Sequence, residues 1–414
     1  MVTLSVAIWV LMSTMFLTNI GFGVILPTLP ILSRQLGASA FEMGLAISVF
    51  SVASLFASSI WGAVSDRIGR RPVLIFGVVG YGLVSALFPW APSVPVLLML
   101  RFLAGMMAAA VFPSSLALVT EWTSSEDRPK ILGYMGSVNG IGFICGPPVG
   151  ALLSVYGVAV PFVCVGLLSV INGLLALRLL PRVEIRKEEE EQQEQEADVS
   201  PIERTSWLNR MTQSLQNRMI APLLIGTFVI SLVDSSISAT LSYFFIGPLQ
   251  STQTMAGWGF MVNAAVSSLA QGTVFSRVYT RFGDVWTIII GLSFGVAGYL
   301  IFGLSSTLLW AFGAIGLLAL CGGLAYPAIT TSISIHTPRE LQGSIFGTHS
   351  TIGSLGRTLG PLIAGWLFSY QERIPFLFSS GLLFATIGFY VVWMHRMRNQ
   401  AQNIPQTDSV QKSC

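Results

Sequence analysis

The chain has 414 residues, 53% of them hydrophobic and only 10% charged, with a mean hydropathy of +0.71 and a net charge of +3. That balance excludes a soluble globular protein and points to an all-α, multi-pass membrane protein. The small positive charge speaks for topology and not for nucleic-acid binding, because eighteen of the 22 basic residues fall on one side of the expected spans or in the linker and tail.

A span needs about 20 predominantly apolar residues. Twelve such runs are present, near residues 5–27, 43–63, 72–91, 95–119, 131–154, 158–180, 220–247, 254–275, 285–305, 308–334, 343–369 and 375–395. The first has no basic residue before it and is too long for the apolar core of a signal peptide, so it is read as a retained span. With both termini cytoplasmic, Arg34 and Arg373 fall outside and Arg101 and Arg357 lie within spans. The expected plan is a bundle over residues 1–180, an acidic cytoplasmic linker over 181–218, a second bundle over 219–396 and a cytoplasmic tail over 397–414.

The first span ends in the run from Asn19 to Pro30, where glycines and prolines allow bending and close helix approach. It contains no acid, so a coupling carboxylate must lie elsewhere. The second and third spans are joined by GAVSDRIGRRPVL, Gly62 to Leu74, which sets three arginines and Asp66 between apolar runs. Such a segment cannot sit in hydrocarbon and must turn tightly at a membrane face.

That shape returns 214 residues later, with Arg281 and Gly283 in the places of Arg67 and Gly69 and Thr280 replacing the aspartate. At the same offset Pro113 recurs as Pro327, Gly133 as Gly347, Gly142 as Gly356, and Gly146-Pro147 as Gly360-Pro361. Two homologous halves are the simplest explanation.

Gly62, Asp66, Arg67, Gly69, Arg70 and Arg71 read G-x-x-x-D-R-x-G-R-R. On these residues the chain resembles the major facilitator superfamily, whose signature loop joins its second and third helices. The resemblance implies twelve transmembrane helices in two pseudo-symmetric six-helix bundles, and a role for Asp66 in holding the halves together on the cytoplasmic side. The alternative is a solubilising loop that merely obeys charge bias. The glycine- and proline-rich run of the first span is similar to that of the superfamily's drug:proton antiporters, the multidrug or tetracycline-type exporters.

In the fourth span Arg101 and Gly105 form R-x-x-x-G, similar to the superfamily motif linked to proton transfer. An arginine there costs on the order of 3 kcal/mol near the bilayer centre. Either it biases the protonation of a nearby carboxyl or it snorkels to the headgroups; Pro113 should bend the same span. The fifth span carries Gly133, Gly142, Gly146, Pro147 and Gly150 as G-x8-G-x3-G-P-x2-G, with Ala151 where a final glycine would stand. This resembles the superfamily's antiporter motif, and small residues so spaced also serve ordinary helix packing. The linker, with its run Glu188 to Glu191, reads as a solvated tether and lacks the P-E-S-P-R of sugar porters.

Of the 19 acids, Asp234 alone lies near the middle of a span, the seventh. A carboxylate there must face a cavity, find a partner or take up a proton, so Asp234 is the candidate proton carrier; the alternative is a hydrogen-bonded structural aspartate. Arg357 in the eleventh span is its candidate partner, and His349 lies closer to the cytoplasmic end of that span. Cys145, Cys164, Cys321 and Cys414 show no metal-ligand spacing, and the chain has neither a P-loop nor a nucleophile–base constellation. No cofactor is expected; the energy source is a proton gradient.

By analogy with the superfamily, the first, fourth, seventh and tenth spans line the path, which makes Phe16, Phe22, Met106, Phe112, Phe228, Asp234, Tyr243 and Tyr326 candidate substrate contacts. The expected function is proton-coupled export of lipophilic or amphipathic compounds from a bacterial cell, by a non-enzymatic and monomeric protein of the plasma or inner membrane. A lipid or glycolipid flippase and an exporter of one polar metabolite are the alternatives.

Overall fold

The computed structural model describes residues 4–123, 128–181, 219–337 and 342–402. The expected linker and most of the tail lie outside the described residues. Every described element is helical, as it must be where a backbone in hydrocarbon satisfies its own polar groups. In chain order they are α1 (Leu4–Gln35), α2 (Ala40–Ile68), α3 (Arg70–Leu87), α4 (Val94–Ala108), α5 (Val111–Trp122), α6 (Arg128–Leu153), α7 (Ala159–Leu179), α8 (Ile220–Ile246), α9 (Gln253–Leu269), α10 (Phe275–Leu304), α11 (Leu308–Ile335), α12 (Gln342–Tyr370) and α13 (Ile374–Gln402). α4 and α5 together make the fourth span. They part at Ala109, four residues before Pro113, whose ring displaces the carbonyl at that position.

The basic segment after the second span is shorter than a loop. α2 runs on through Asp66 and Arg67, and Gly69 alone reverses the chain, at φ 97° and ψ 152°. Its repeat, Gly283, does the same at φ 78°, so that α9, a π-helical turn over Ala270–Val274 and the start of α10 form the eighth span, and the rest of α10 forms the ninth. Both turns need a residue without a Cβ.

The halves share one plan. α1 packs on α6, α2 on α4 and α3 on α7; the partners at the repeat offset, α8 on α12, α9 on α11 and α10 on α13, pack likewise. Lipid supplies no hydrophobic drive between helices, so these contacts rest on close approach of small residues. A Cβ built on Gly146 would lie 2.6 Å from the Gly23 Cα and 2.8 Å from the Ile20 carbonyl. Gly142 meets the Phe16 carbonyl at 2.8 Å and Gly150 the Val24 carbonyl at 2.6 Å in the same way, so the antiporter-like glycines seat α6 on α1. Overpacking of this kind costs about 1–3 kcal/mol. Gly146→Val is therefore expected to lower the thermal unfolding midpoint of the detergent-solubilised protein by several degrees, and an unchanged midpoint would show that α1 and α6 can separate there freely.

The two bundles meet along α2 with α12 and α6 with α9. All these contacts gather at the end that carries Arg34 and Arg373. Ser48 Oγ donates to the Thr358 carbonyl at 2.6 Å, the Gln253 amide to the Pro27 carbonyl, and the Arg34 guanidinium lies 5.2 Å from the Tyr243 ring centre. There Gly44 of α2 lies against the Pro361 carbonyl, and Gly257 of α9 against Ala151. At the opposite end, nearer the arginine-rich turn, Gly62 of α2 and Gly347 of α12 face open space. The molecule is closed between its halves at one end and parted at the other.

Candidate functional site

Asp234 stands midway along α8 on a polar stripe. Ser231, Asp234, Ser235, Ser238 and Ser242 recur at three- and four-residue spacing, which places them on one side of the helix. Ser231, Ser235 and Ser242 are buried, and Ser235 and Ser238 return their hydroxyls to the helix backbone, Ser235 Oγ to the Ser231 carbonyl at 2.8 Å and Ser238 Oγ to the Asp234 carbonyl at 3.1 Å. Asp234 is exposed. It opens onto a small cleft whose wall also includes Ile230 and Val233 of α8, Asn263 of α9, Tyr299 of α10 and Cys321 of α11. Tyr299 donates its hydroxyl to the Val233 carbonyl at 2.8 Å and so holds the backbone beside the carboxylate.

Arg357 stands midway along α12 and is also exposed. It lies close enough to attract the Asp234 carboxylate. The two are nonetheless not in contact. Among the described residues, the ion pairs within 4.0 Å are those of Arg70 with Asp66 and with Glu121. The Arg357 Nη2 donates to Ser354 Oγ at 2.9 Å. His349 lies nearer the start of α12, buried beside the Tyr326 ring at 5.9 Å, and its Nε2 has no hydrogen-bond partner among the described residues.

Arg101 is in a different setting. It is 2% exposed within the first bundle, its Nε donating to the Ala46 carbonyl at 3.1 Å and its guanidinium lying 4.6 Å from the Phe50 ring and 5.9 Å from Phe88. Desolvated cation–π contacts of this sort are worth about 2 kcal/mol each, enough with the hydrogen bond to offset part of the cost of burial. Tyr81 is its electrostatic neighbour, and among the described residues no carboxylate lies within 4.0 Å of it. The structure therefore separates Arg101 from Asp234 and Arg357, which it brings onto adjoining helices.

In the signature turn, Asp66 is 61% exposed and pairs with Arg70 of its own half. Arg70 also reaches Ser65 Oγ, at 2.6 Å, and Glu121, tying α2, α3 and α5 together at that end. Arg71 donates to the Leu177 carbonyl of α7. Arg67 is exposed.

The aromatic candidates divide. Phe22 is half-buried and stacks on Phe143 at 6.0 Å and near Phe50 at 5.6 Å. Phe16, Met106 and Phe228 are half-buried, while Phe112 and Tyr326 are exposed at 56% and 37%. Tyr243 is buried within the closed end, against Arg34 and Phe368. Asn263, Tyr299 and the latch of Ser48 and Gln253 escape sequence reasoning. An amide near the middle of an apolar span is the one signal that could have found Asn263.

A family profile described as Major Facilitator Superfamily matches residues 11–221 and 223–414. The chain is 25% identical over 396 residues to multidrug resistance protein 2 of Bacillus subtilis (strain 168), covering 95% of this chain and 96% of that protein. It is 28% identical over 366 residues to the class C tetracycline resistance protein of Escherichia coli, covering 88% and 90%. A bacterial homolog of the human lysosomal transporter Spinster, solved in an inward-facing and occupied conformation, shares the fold with a TM-score of 0.77 at 15% identity, over 94% of this chain and 97% of that one.

Proposed function

The chain belongs to the Major Facilitator Superfamily, and on that premise we propose that it exports lipophilic or amphipathic compounds in exchange for protons, by alternating access. The names of its relatives support efflux of drugs or antibiotics. The observation that carries the coupling is Asp234, an acid deep in a span that is open to a cleft and has no ion-pair partner within 4.0 Å among the described residues. In this reading the parted end is cytoplasmic, the closed end faces outward, and the protein lies in the cell membrane with both termini inside.

The cycle follows from that arrangement. A deprotonated Asp234 accepts a cationic or dipolar substrate from the cytoplasmic side. The contacts around Ser48, Gln253 and Arg34 then part as the other end closes, with the signature turn at Asp66 and Arg67 forming the inner gate. Outside, a proton takes the carboxylate and the substrate leaves. The membrane potential contributes about 2.3 kcal/mol per charge per 100 mV if net charge moves; the pH difference acts in either case.

Everted membrane vesicles acidified inside and reporting pH by dye quenching test this. Adding a lipophilic amine is expected to release protons at a rate that saturates with its concentration, only when the chain is present. Uptake of the amine that persists undiminished after nigericin collapses the pH gradient would overturn proton coupling.

A further inference from the structure

The two glycine turns at the parted end are not electrically alike. In the first, Arg70 pairs with Asp66 and reaches Glu121 at 3.4 Å, so its charge is answered within its own bundle. In the second, Thr280 stands in the place of Asp66, and Asp284 in the place of Arg70. That acid is half-buried, accepting from the Val285 N–H and from Ser332 Oγ of α11, each at 2.8 Å. Two arginines are left outside. Arg277 and Arg281 are exposed just before Gly283, and among the described residues neither has a carboxylate within 4.0 Å. Arg277 Nη1 donates to the Thr273 carbonyl at 3.2 Å, and the Arg281 guanidinium lies 5.6 Å from the ring centre of its neighbour Phe282.

Four-residue spacing sets both arginines on one side of the helix. Around them the exposed side chains are large and apolar: Phe282 and Trp286 on the two sides of the turn, and Leu269 farther into the span. Apolar groups exposed at that depth meet acyl chains, and tryptophan gathers at the level of the headgroups. An arginine fork takes a phosphate through two parallel N–H donors. Cations at the end of a span with apolar surface beside them fit an amphiphile whose head is negative and whose tails run along the helix. The acidic linker offers carboxylates, but from Glu188 to Glu196 it has no apolar side chain to match the rest.

We propose that the second turn binds an anionic phospholipid of the leaflet at that end, with Arg277 and Arg281 holding the phosphate and the acyl chains lying along the apolar side chains beside them. The lipid then supplies at the second turn the negative charge that Asp66 supplies at the first. The inference is independent of what the protein transports and of how transport is driven.

Full-length protein in detergent, offered equal amounts of dioleoyl phosphatidylglycerol and dioleoyl phosphatidylcholine, provides the test. The two lipids share tails and phosphate and differ in net charge. Native mass spectrometry counts what is bound. The wild type is expected to hold about fivefold more phosphatidylglycerol than phosphatidylcholine, and in Arg277→Gln/Arg281→Gln that preference should fall to about twofold or less. Arg277→Lys/Arg281→Lys should keep most of it. Arg178→Gln, which removes an exposed arginine at the same end of the first bundle, should leave it unchanged. Arg281→Gln alone should give an intermediate value, and a single symmetric peak in gel filtration verifies each fold.

A preference that survives in the folded double glutamine variant, or that falls equally in Arg178→Gln, would overturn the proposal. Displacement of the lipid by millimolar inorganic phosphate would make this a site for free anions and overturn it also. So would a wild type that binds phosphatidylglycerol only after Glu188 to Glu191 are changed to glutamine, since the linker would then be the occupant.

Discussion

Asp234→Asn is expected to abolish uphill transport while leaving downhill exchange measurable at saturating substrate. One pH unit is worth 1.36 kcal/mol per proton. A one-for-one exchanger therefore sustains a substrate gradient of about tenfold per pH unit, and a carrier without the titrating carboxyl sustains none. Asparagine keeps the size of the side chain, and among the described residues Asp234 makes no ion pair within 4.0 Å that its loss would break. Expression and folding should thus survive. The measurement is substrate accumulation in proteoliposomes with an imposed pH gradient, set beside counterflow without one. Accumulation at the wild-type level would remove Asp234 from the coupling step, and a joint loss of accumulation and of counterflow at saturating substrate would make it a structural residue.

The second large effect is expected at the closed end. A side chain on Gly44 runs into the Pro361 carbonyl of α12, which is backbone and cannot rotate away. Gly44→Leu should hold α2 off α12 and bias the molecule toward opening at the Arg34 end. Overpacking of about 1–3 kcal/mol shifts a two-state balance by about fivefold to more than a hundredfold. Tyr243, buried at that end beside Arg34, supplies the reporter. In a background with its four cysteines replaced by serine, Tyr243→Cys should react slowly with a membrane-impermeant maleimide added outside, and about tenfold faster when Gly44→Leu is added. Transport should fall in parallel. Unchanged labelling together with unchanged transport would show that this contact takes no part in a cycle.

These expectations draw on different levels of information. The twelve apolar runs, the 214-residue repeat and the uniqueness of Asp234 are all legible in the chain, because bilayer thickness imposes span length and because an intramembrane acid stands out against apolar surroundings. Gly69 and Gly283 were equally readable as turns, since no other residue type adopts their backbone geometry easily.

What tertiary structure decided is which faces meet. Arg101 and Asp234 are both isolated charges in apolar spans, yet Arg101 is sealed between Phe50 and Phe88 while Asp234 opens onto a cleft. Tyr243 and Tyr326 look alike in sequence, but one is buried in the closed end and the other exposed. Helical period assigns a residue to a face of its own helix. The partner across that face is chosen by close packing among residues far apart in the chain, as when Ser48 bonds to Thr358, and in a molecule closed at only one end that choice also depends on which end it is.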